Sequence, residues 1–475
     1  MLFFNLCYIK KNSLICGIRY EQVSYSATKD QEVKISTASV SIEKKLFEGE
    51  IEVRLDKFSD FLPSGFLPLL LKFAAQQGYF EVFAKHFNLP MKSVYYSPYQ
   101  KLQVLICSLL VNCNCIKDIN HKLKPYPQIA TMLGLKQIPD QSTINRFLNR
   151  FDAQSIVELE VIFDILTERL FCHKKEKKIL VVDATGLVIY GDKFQFAKKG
   201  YFPKKRGNKG YQLSLGVLLD QHPKISALFL DPGNIPLDLR LWDTVYQTAE
   251  ILGGLKYLEL VIGDAIYGTG KHITTFIDMD IPFLLKGKNR KTAFNLAEKL
   301  NDNDYYYIDN ITEVAEQGYI NIRNCPHKVR VVIIKKIDAK GRTIFNHLVT
   351  SIPKEQVNCV ELFSLYNKRQ FIESNIKENK HGLSIDNIRT GKFWSIYAFL
   401  YIAASVFNLF SLFKEKVLVD TGLENLGLRE ITDKLMDIPG KIEQQNKITK
   451  LLLPLYHNYS KTFVSRESLS LSDTS

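Results

Sequence analysis

Apolar and polar residues follow two different periods along this chain, and the change of period falls near residue 178. From Gly65 onward apolar positions recur at helical spacing: F-L-P-L-L-L-K-F-A-A-Q-Q-G, then Y-F-E-V-F-A-K-H-F, then an apolar run over 101–111. The segment P-D-Q-S-T-I-N-R-F-L-N-R-F (139–151) predicts a cap and a helix, with Ile144, Phe147, Leu148 and Phe151 inward and Asn145, Arg146, Asn149 and Arg150 outward. The charged run H-K-K-E-K-K (173–178) marks a boundary. Beyond it, K-I-L-V-V-D-A-T-G-L-V-I-Y (178–190), Y-Q-L-S-L-G-V-L-L-D (211–220) and K-I-S-A-L-F-L (224–230) predict a three-strand antiparallel meander. A helix over 237–252, a strand over 258–264, a helix over 271–279 and a strand over 281–285 complete the series.

Three strands, helix, strand, helix, strand is the order of a ribonuclease-H-like α/β fold, a mixed sheet with flanking helices. Strand candidates at 305–308, 329–337 and 343–350 predict a β-rich insertion over 287–360. After it come a helix over 361–382 and an apolar helix over 397–413 that packs on the sheet. The chain thus divides into a weakly organised segment (1–60, with a possible strand pair near 40–55) and a helical region (61–172). The α/β domain comprises 178–286 and 361–414 and encloses the insertion. C-terminal helices and a tail (415–475) end the chain.

Composition narrows the partners. With 475 residues, 46% of them hydrophobic, the chain can build several substantial cores. A formal net charge of +13 favours nucleic acid or an anionic membrane. No run approaches the roughly eighteen apolar residues of a spanning helix, so no membrane partner is expected. The opening M-L-F-F-N-L-C-Y-I-K-K carries its charges after the apolar part, which makes it a poor signal peptide. Eight Cys are scattered; Cys113 and Cys115 lack a matching pair at zinc spacing, and reduced thiols in a cytosolic protein are expected.

The chemistry concentrates on 361–382. Tyr366, Arg369, Glu373 and Lys380 are spaced three, four and seven residues apart, which puts them on one stripe of a helix flanked by Leu362, Leu365, Phe371 and Ile372. A carboxylate can hold a hard divalent cation, while the Arg and Lys can hold phosphate oxygens. The plainer alternative is a solvated face with an Arg369–Glu373 pair worth about 0.3 kcal/mol. Asp183 interrupts an apolar strand and Asp264 ends another; in a sheet of this order those strands are neighbours. Three converging carboxylates (Asp183, Asp264, Glu373) need cations between them, and two Mg²⁺ about 4 Å apart are the usual solution for displacement at phosphorus.

A basic stretch over 193–211 carries Lys193, Lys198, Lys199, Lys204, Lys205, Arg206 and Lys209 without an acidic residue, interleaved with Phe194, Phe196, Tyr201, Phe202 and Tyr211. Positive charge tracks phosphates and aromatic faces stack on bases, so DNA contact is the favoured reading; the alternative is a solvated hairpin with its aromatics folded inward. The 139–151 segment is similar to a helix-turn-helix recognition element, with Arg146 and Arg150 toward DNA, or else an ordinary bundle helix. A-I-Y-G-T-G-K-H (265–272) is a poor phosphate loop, with Ala265 and His272 in place of its Gly and Ser/Thr, so Gly268 and Gly270 read as turn residues.

Taken together the motifs resemble the DDE transposases of bacterial insertion sequences, in the insertion-sequence-four-like group with the signature Tyr-x₂-Arg-x₃-Glu-x₆-Lys. Tyr366, Arg369, Glu373 and Lys380 meet that signature. V-V-D-A-T-G, the G-Y-x-P-K-K-R-G region (200–207), the P-G-N turn (232–234) and V-I-G-D-A-I-Y-G are also similar, and the resemblance spans roughly 142–412. It implies that Asp183, Asp264 and Glu373 form a triad holding two Mg²⁺, with Mn²⁺ able to substitute. It also implies that Tyr366, Arg369 and Lys380 grip phosphates of the element's ends. A cytoplasmic, nucleoid-associated enzyme acting as a homodimer on paired terminal repeats follows, with a cut-and-paste reaction. A related nuclease without strand transfer and a catalytically idle repressor are the competing functions.

Overall fold

The computed structural model describes residues 51–56, 62–91, 95–171, 176–191, 193–200, 202, 207–369, 390–445, 448–457 and 459–460. The N-terminal strand β1 (Ile51–Asp56) is followed by helices α1 (Leu67–Gln76), α2 (Tyr79–His86), α3 (Pro98–Leu110), α4 (Gln141–Leu148) and α5 (Ala153–Phe171). Local chemistry starts two of them. Ser97 and Gln100 exchange side chain–backbone hydrogen bonds ahead of Pro98 at the start of α3, and Asp140 accepts from the Ser142 N–H at the start of α4. On α4 and just beyond it, Ile144, Phe147, Leu148 and Phe151 are buried while Asn145, Arg146 and Arg150 are exposed.

Among the described residues the α/β part is a single ten-stranded mixed sheet. Its strands are β2 (Lys178–Val188), β3 (Lys198–Lys199), β4 (Lys209–Leu219), β5 (Lys224–Pro232), β6 (Leu258–Gly268), β7 (Phe283–Gly287), β8 (Tyr305–Asp309), β9 (Thr312–Asn321), β10 (Lys328–Ile337) and β11 (Thr343–Thr350). In space they run β3-β4-β2-β6-β7-β11-β10-β9-β8, with β5 also on β4. The section β5-β4-β2-β6-β7, antiparallel on one side of β2 and parallel on the other, is the ribonuclease-H-like arrangement. The four strands from 305 to 350 extend the same sheet, because β11 pairs antiparallel with β7. Helices α6 (Leu241–Leu252), α7 (Gly270–Asp278) and α8 (Arg290–Ala297) cover one face. A helix α9 over 359–369 and α10 (Phe393–Lys416) join α5 on the other.

Helix α10 corrects the expectation that no run approaches membrane-spanning length. By length and composition it could cross a bilayer, yet 94% of its most apolar window is buried within the fold. Its apolar side chains join the main core, and its polar ones fasten it to β5. The Asn408 amide accepts from the Ile225 N–H at 2.8 Å and donates to the Ile225 carbonyl at 2.8 Å, while the Tyr401 hydroxyl donates to the Leu228 carbonyl at 3.1 Å and Ser411 to the Pro223 carbonyl at 2.8 Å. Among the described strands β5 pairs only with β4, so α10 satisfies backbone groups on its otherwise open edge.

The ends of the chain also depart from expectation. After α11 (Leu428–Met436) come two strands, β12 (Lys441–Gln445) and β13 (Ile448–Pro454), where only helices were expected. Strand β1 pairs in parallel with β13, and the rest of the strand pair expected near 40–55 lies outside the described residues. Such a pairing unites segments almost 400 residues apart and leaves no local signature.

Candidate active site

Strands β2 and β6 run in parallel with Val182 opposite Gly263, so the next residues, Asp183 and Asp264, emerge side by side. Side chains alternate between faces. Asp183 therefore shares the face of Val181, and Asp264 that of Ile262, which is the face covered by α9 and α10. Helix α9 begins with a second reciprocal cap, Asn358 accepting from the Glu361 N–H and Glu361 from the Asn358 N–H. Cys359, Leu362, Tyr366 and Arg369 form its buried stripe. Leu365, expected as an apolar flank, is only half-buried beside it.

Arg369 closes the site. One of its terminal nitrogens lies 3.3 Å from Asp183 Oδ1 and 3.6 Å from Asp264 Oδ2. Its side chain is 9% exposed, against 18% for Asp183 and 38% for Asp264. A guanidinium this deep needs opposing charge, and the two carboxylates supply it. Glu373 and Lys380 lie outside the described residues, as do Lys204, Lys205 and Arg206. Of the basic stretch, Lys193, Lys198, Lys199 and Lys209 are exposed.

Among the described aromatic residues of that stretch, most are turned inward, while Tyr201 lies outside the described residues. Phe202 and Tyr211 are buried, and Phe194 packs against the core. The Phe202 ring fills a slot in which a Cβ on Gly186, Gly210 or Gly233 would collide with it. Gly200 and Gly233, from two of the motifs in the family resemblance, touch backbone to backbone, leaving no room for a side chain on either. Phe196 stays exposed, edge-on to Phe393.

Residues 390–393 join three parts of this surface. Thr390 donates to the Asn149 side chain at 2.9 Å and Lys392 Nζ to the Asn149 carbonyl at 3.0 Å. Across the segment, the Gln195 N–H donates to the Gly391 carbonyl at 2.8 Å and the Gln195 side chain accepts from the Phe393 N–H at 3.2 Å. The end of α4, the basic stretch and the start of α10 are thereby fastened together.

Two features near the carboxylates escaped the sequence reading. Tyr267 is buried; burial foremost, then the charges of Asp183, Asp238 and Asp264, hold its phenol well above its ordinary range, with Arg369 opposing. His272 Nε2 lies 3.1 Å from Asp238 Oδ2. The signal for Tyr267 was its place three residues after Asp264; nothing in the sequence links Asp238 to His272. Gly268 and Gly270, expected as turn residues, are instead the last residue of β6, opposite Gly287, and the first of α7, with only the Thr269 cap between them.

A sheet of this order, with two carboxylates side by side on its central parallel strands, has the donor chemistry that metal-assisted phosphoryl transfer uses. Comparison with known families is specific: the description "Transposase DDE domain group 1" matches residues 64–471, and the chain belongs to that family. The match extends beyond the 142–412 span of the motifs to take in most of the helical region and strands β12 and β13. No curated protein matches the chain. Membership makes it a transposase-type enzyme acting on DNA, in a family that generally uses divalent metal ions.

The residues present fit such an ion. Both donors are carboxylates, the ligands a hard divalent cation prefers, and the space between them already accommodates a positive group. Among the described residues no three His, Cys, Asp or Glu side chains converge.

Proposed function

We propose that this protein is a transposase of the group with the Tyr-Arg-Glu-Lys signature, which cleaves the ends of an insertion sequence and joins them to target DNA by cut-and-paste. The observation that carries the reading is the convergence of Asp183 and Asp264, from separate strands, on the first half of that signature, with Arg369 between them. Asp183, Asp264 and Glu373 would hold two Mg²⁺, with Mn²⁺ as a substitute. Bound there, the metals would activate water or a 3′-hydroxyl and stabilise the leaving oxygen.

The chain's own residues supply binding and orientation. Lys204, Lys205, Arg206 and Lys209 track the backbone of the transposon end, and Arg146 and Arg150 on the outer face of the helical region extend that contact. Tyr366, Arg369 and Lys380 fix the phosphates beside the cut, where a planar guanidinium binds two oxygens at once. In this reading 61–172 is the DNA-binding region and 287–360 an insertion into the catalytic domain. The working unit is a homodimer on paired ends, in the cytoplasm with the chromosomal DNA.

The test uses purified full-length protein, a labelled terminal inverted repeat and a target plasmid in Mg²⁺. Cleavage at the repeat followed by joining of the freed 3′ end is the expected result. Cleavage without joining would make the protein a nuclease, and binding without cleavage a repressor.

A further inference from the structure

Three buried or half-buried arginine–carboxylate contacts among the described residues are not alike. Arg240 binds Asp231 through two parallel contacts of 2.8 Å each, and Arg330 reaches Glu316 at 2.7 Å. These have the length and fork geometry of a committed charge-assisted pair. Arg369 instead shares one nitrogen between Asp183 at 3.3 Å and Asp264 at 3.6 Å. Its guanidinium stands between the two oxygens, in a longer contact that both carboxylates share. It is nonetheless positioned firmly, on the buried stripe with Leu362 and Tyr366 of a helix capped by Asn358.

We infer that Arg369 is the internal counter-cation of the Asp183–Asp264 pair and sets its affinity for divalent metal. This rests on the metal-binding role given to those carboxylates above. In metal-free protein the guanidinium offsets the repulsion between two partly buried negative charges. A divalent ion needs the same oxygen lone pairs at roughly 2.0–2.6 Å, and a fixed positive charge a few ångströms away opposes it. A DNA phosphate offers Arg369 a better partner, a doubly accepting anion for a planar fork. DNA arrival therefore draws the guanidinium off the carboxylates, and metal binding and DNA binding reinforce each other.

The experiment is Mn²⁺ titration of the full-length chain without DNA, following the free-ion electron paramagnetic resonance signal, with Asp183→Asn as the control for binding at this site. Arg369→Gln should bind Mn²⁺ about tenfold more tightly than the parent, because a unit positive charge beside the ion has gone. Equal or weaker binding overturns the inference. A variant that unfolds in EDTA but folds in Mn²⁺ supports it, since the metal then replaces the guanidinium; one that unfolds in both overturns it and makes Arg369 a structural anchor. Arg369→Lys keeps the charge and should bind Mn²⁺ within about threefold of the parent. If Asp183→Asn leaves Mn²⁺ binding of the parent unchanged, the metal role of these carboxylates fails as well, which separates the two readings.

Discussion

Asp183 and Asp264 stand next to each other because Val182 and Gly263 are register partners on parallel strands, and both carboxylates turn toward the same nitrogen of Arg369. Asp183→Asn and Asp264→Asn, together with Glu373→Gln, should each reduce cleavage of a terminal repeat to background while leaving DNA affinity within about threefold. An amide keeps the shape but not the charge a divalent ion needs. Single-turnover cleavage alongside a gel-shift titration checks this. Near-normal cleavage by any one variant removes that residue from the catalytic set.

The basic stretch makes a prediction about salt. Lys198, Lys199 and Lys209 are exposed around the β3–β4 hairpin, which also brackets Lys204, Lys205 and Arg206 in sequence. Changing Lys204, Lys205 and Arg206 to Ala should lower the slope of log affinity against log salt by about 0.9 for each phosphate no longer neutralised. An unchanged slope would leave this loop as solvated surface.

Asp231 is 3% exposed and clamps Arg240, which also reaches Asp243 at 2.7 Å. This fork ties the end of β5, just ahead of the Gly233 turn, to the first turn of α6. Asp231→Ala should cost about 3 kcal/mol, because it strands a largely buried guanidinium. Urea denaturation followed by circular dichroism measures it; a loss below about 1 kcal/mol would mean that Asp243 and water suffice.

His347 predicts a pH dependence of stability. Its ring packs over Gly287 on β7, and burial lowers its pKa to about 4. The folded protein keeps the imidazole neutral, whereas the unfolded chain takes up a proton below about 6.5. Between those values the unfolded state binds more protons. The contribution is therefore fully present above pH 6.5 and lost as pH falls toward 4, up to about 3 kcal/mol. His347→Phe should flatten that decline in denaturant titrations at pH 7 and pH 4.5. The same decline in parent and variant would assign the pH sensitivity to other groups.

Much of the framework is legible in the chain itself, because it depends on neighbours in sequence. Asp140 with the spacing of Ile144, Phe147, Leu148 and Phe151 defines α4, since a cap and a 3.6-residue period need only a dozen residues. The apolar strands around Asp183 and Asp264, and the order of strands and helices, lead to the ribonuclease-H-like sheet. Residues 287–360 read as β-rich for the same reason, although only the pairing of β11 with β7 shows that they lengthen the central sheet.

Tertiary structure decided what depends on distant segments. Phe202 sits in the basic stretch and looks available to a base, but glycines at 186, 210 and 233 build the slot that buries it. Helix α10 has the composition of a membrane span. Its place in the core is set by its packing on α5 and by Asn408, Tyr401 and Ser411 bonding the edge of β5 that no described strand covers. Along α9, periodicity put Tyr366 and Arg369 on one stripe, yet a helix has no intrinsic inside. The sheet beneath it, with two carboxylates at one level, made that stripe the buried one and left Leu365 at its margin. Periodicity is a property of adjacent residues, whereas the direction a stripe faces is set by where opposing charge and uncovered apolar surface lie across the fold.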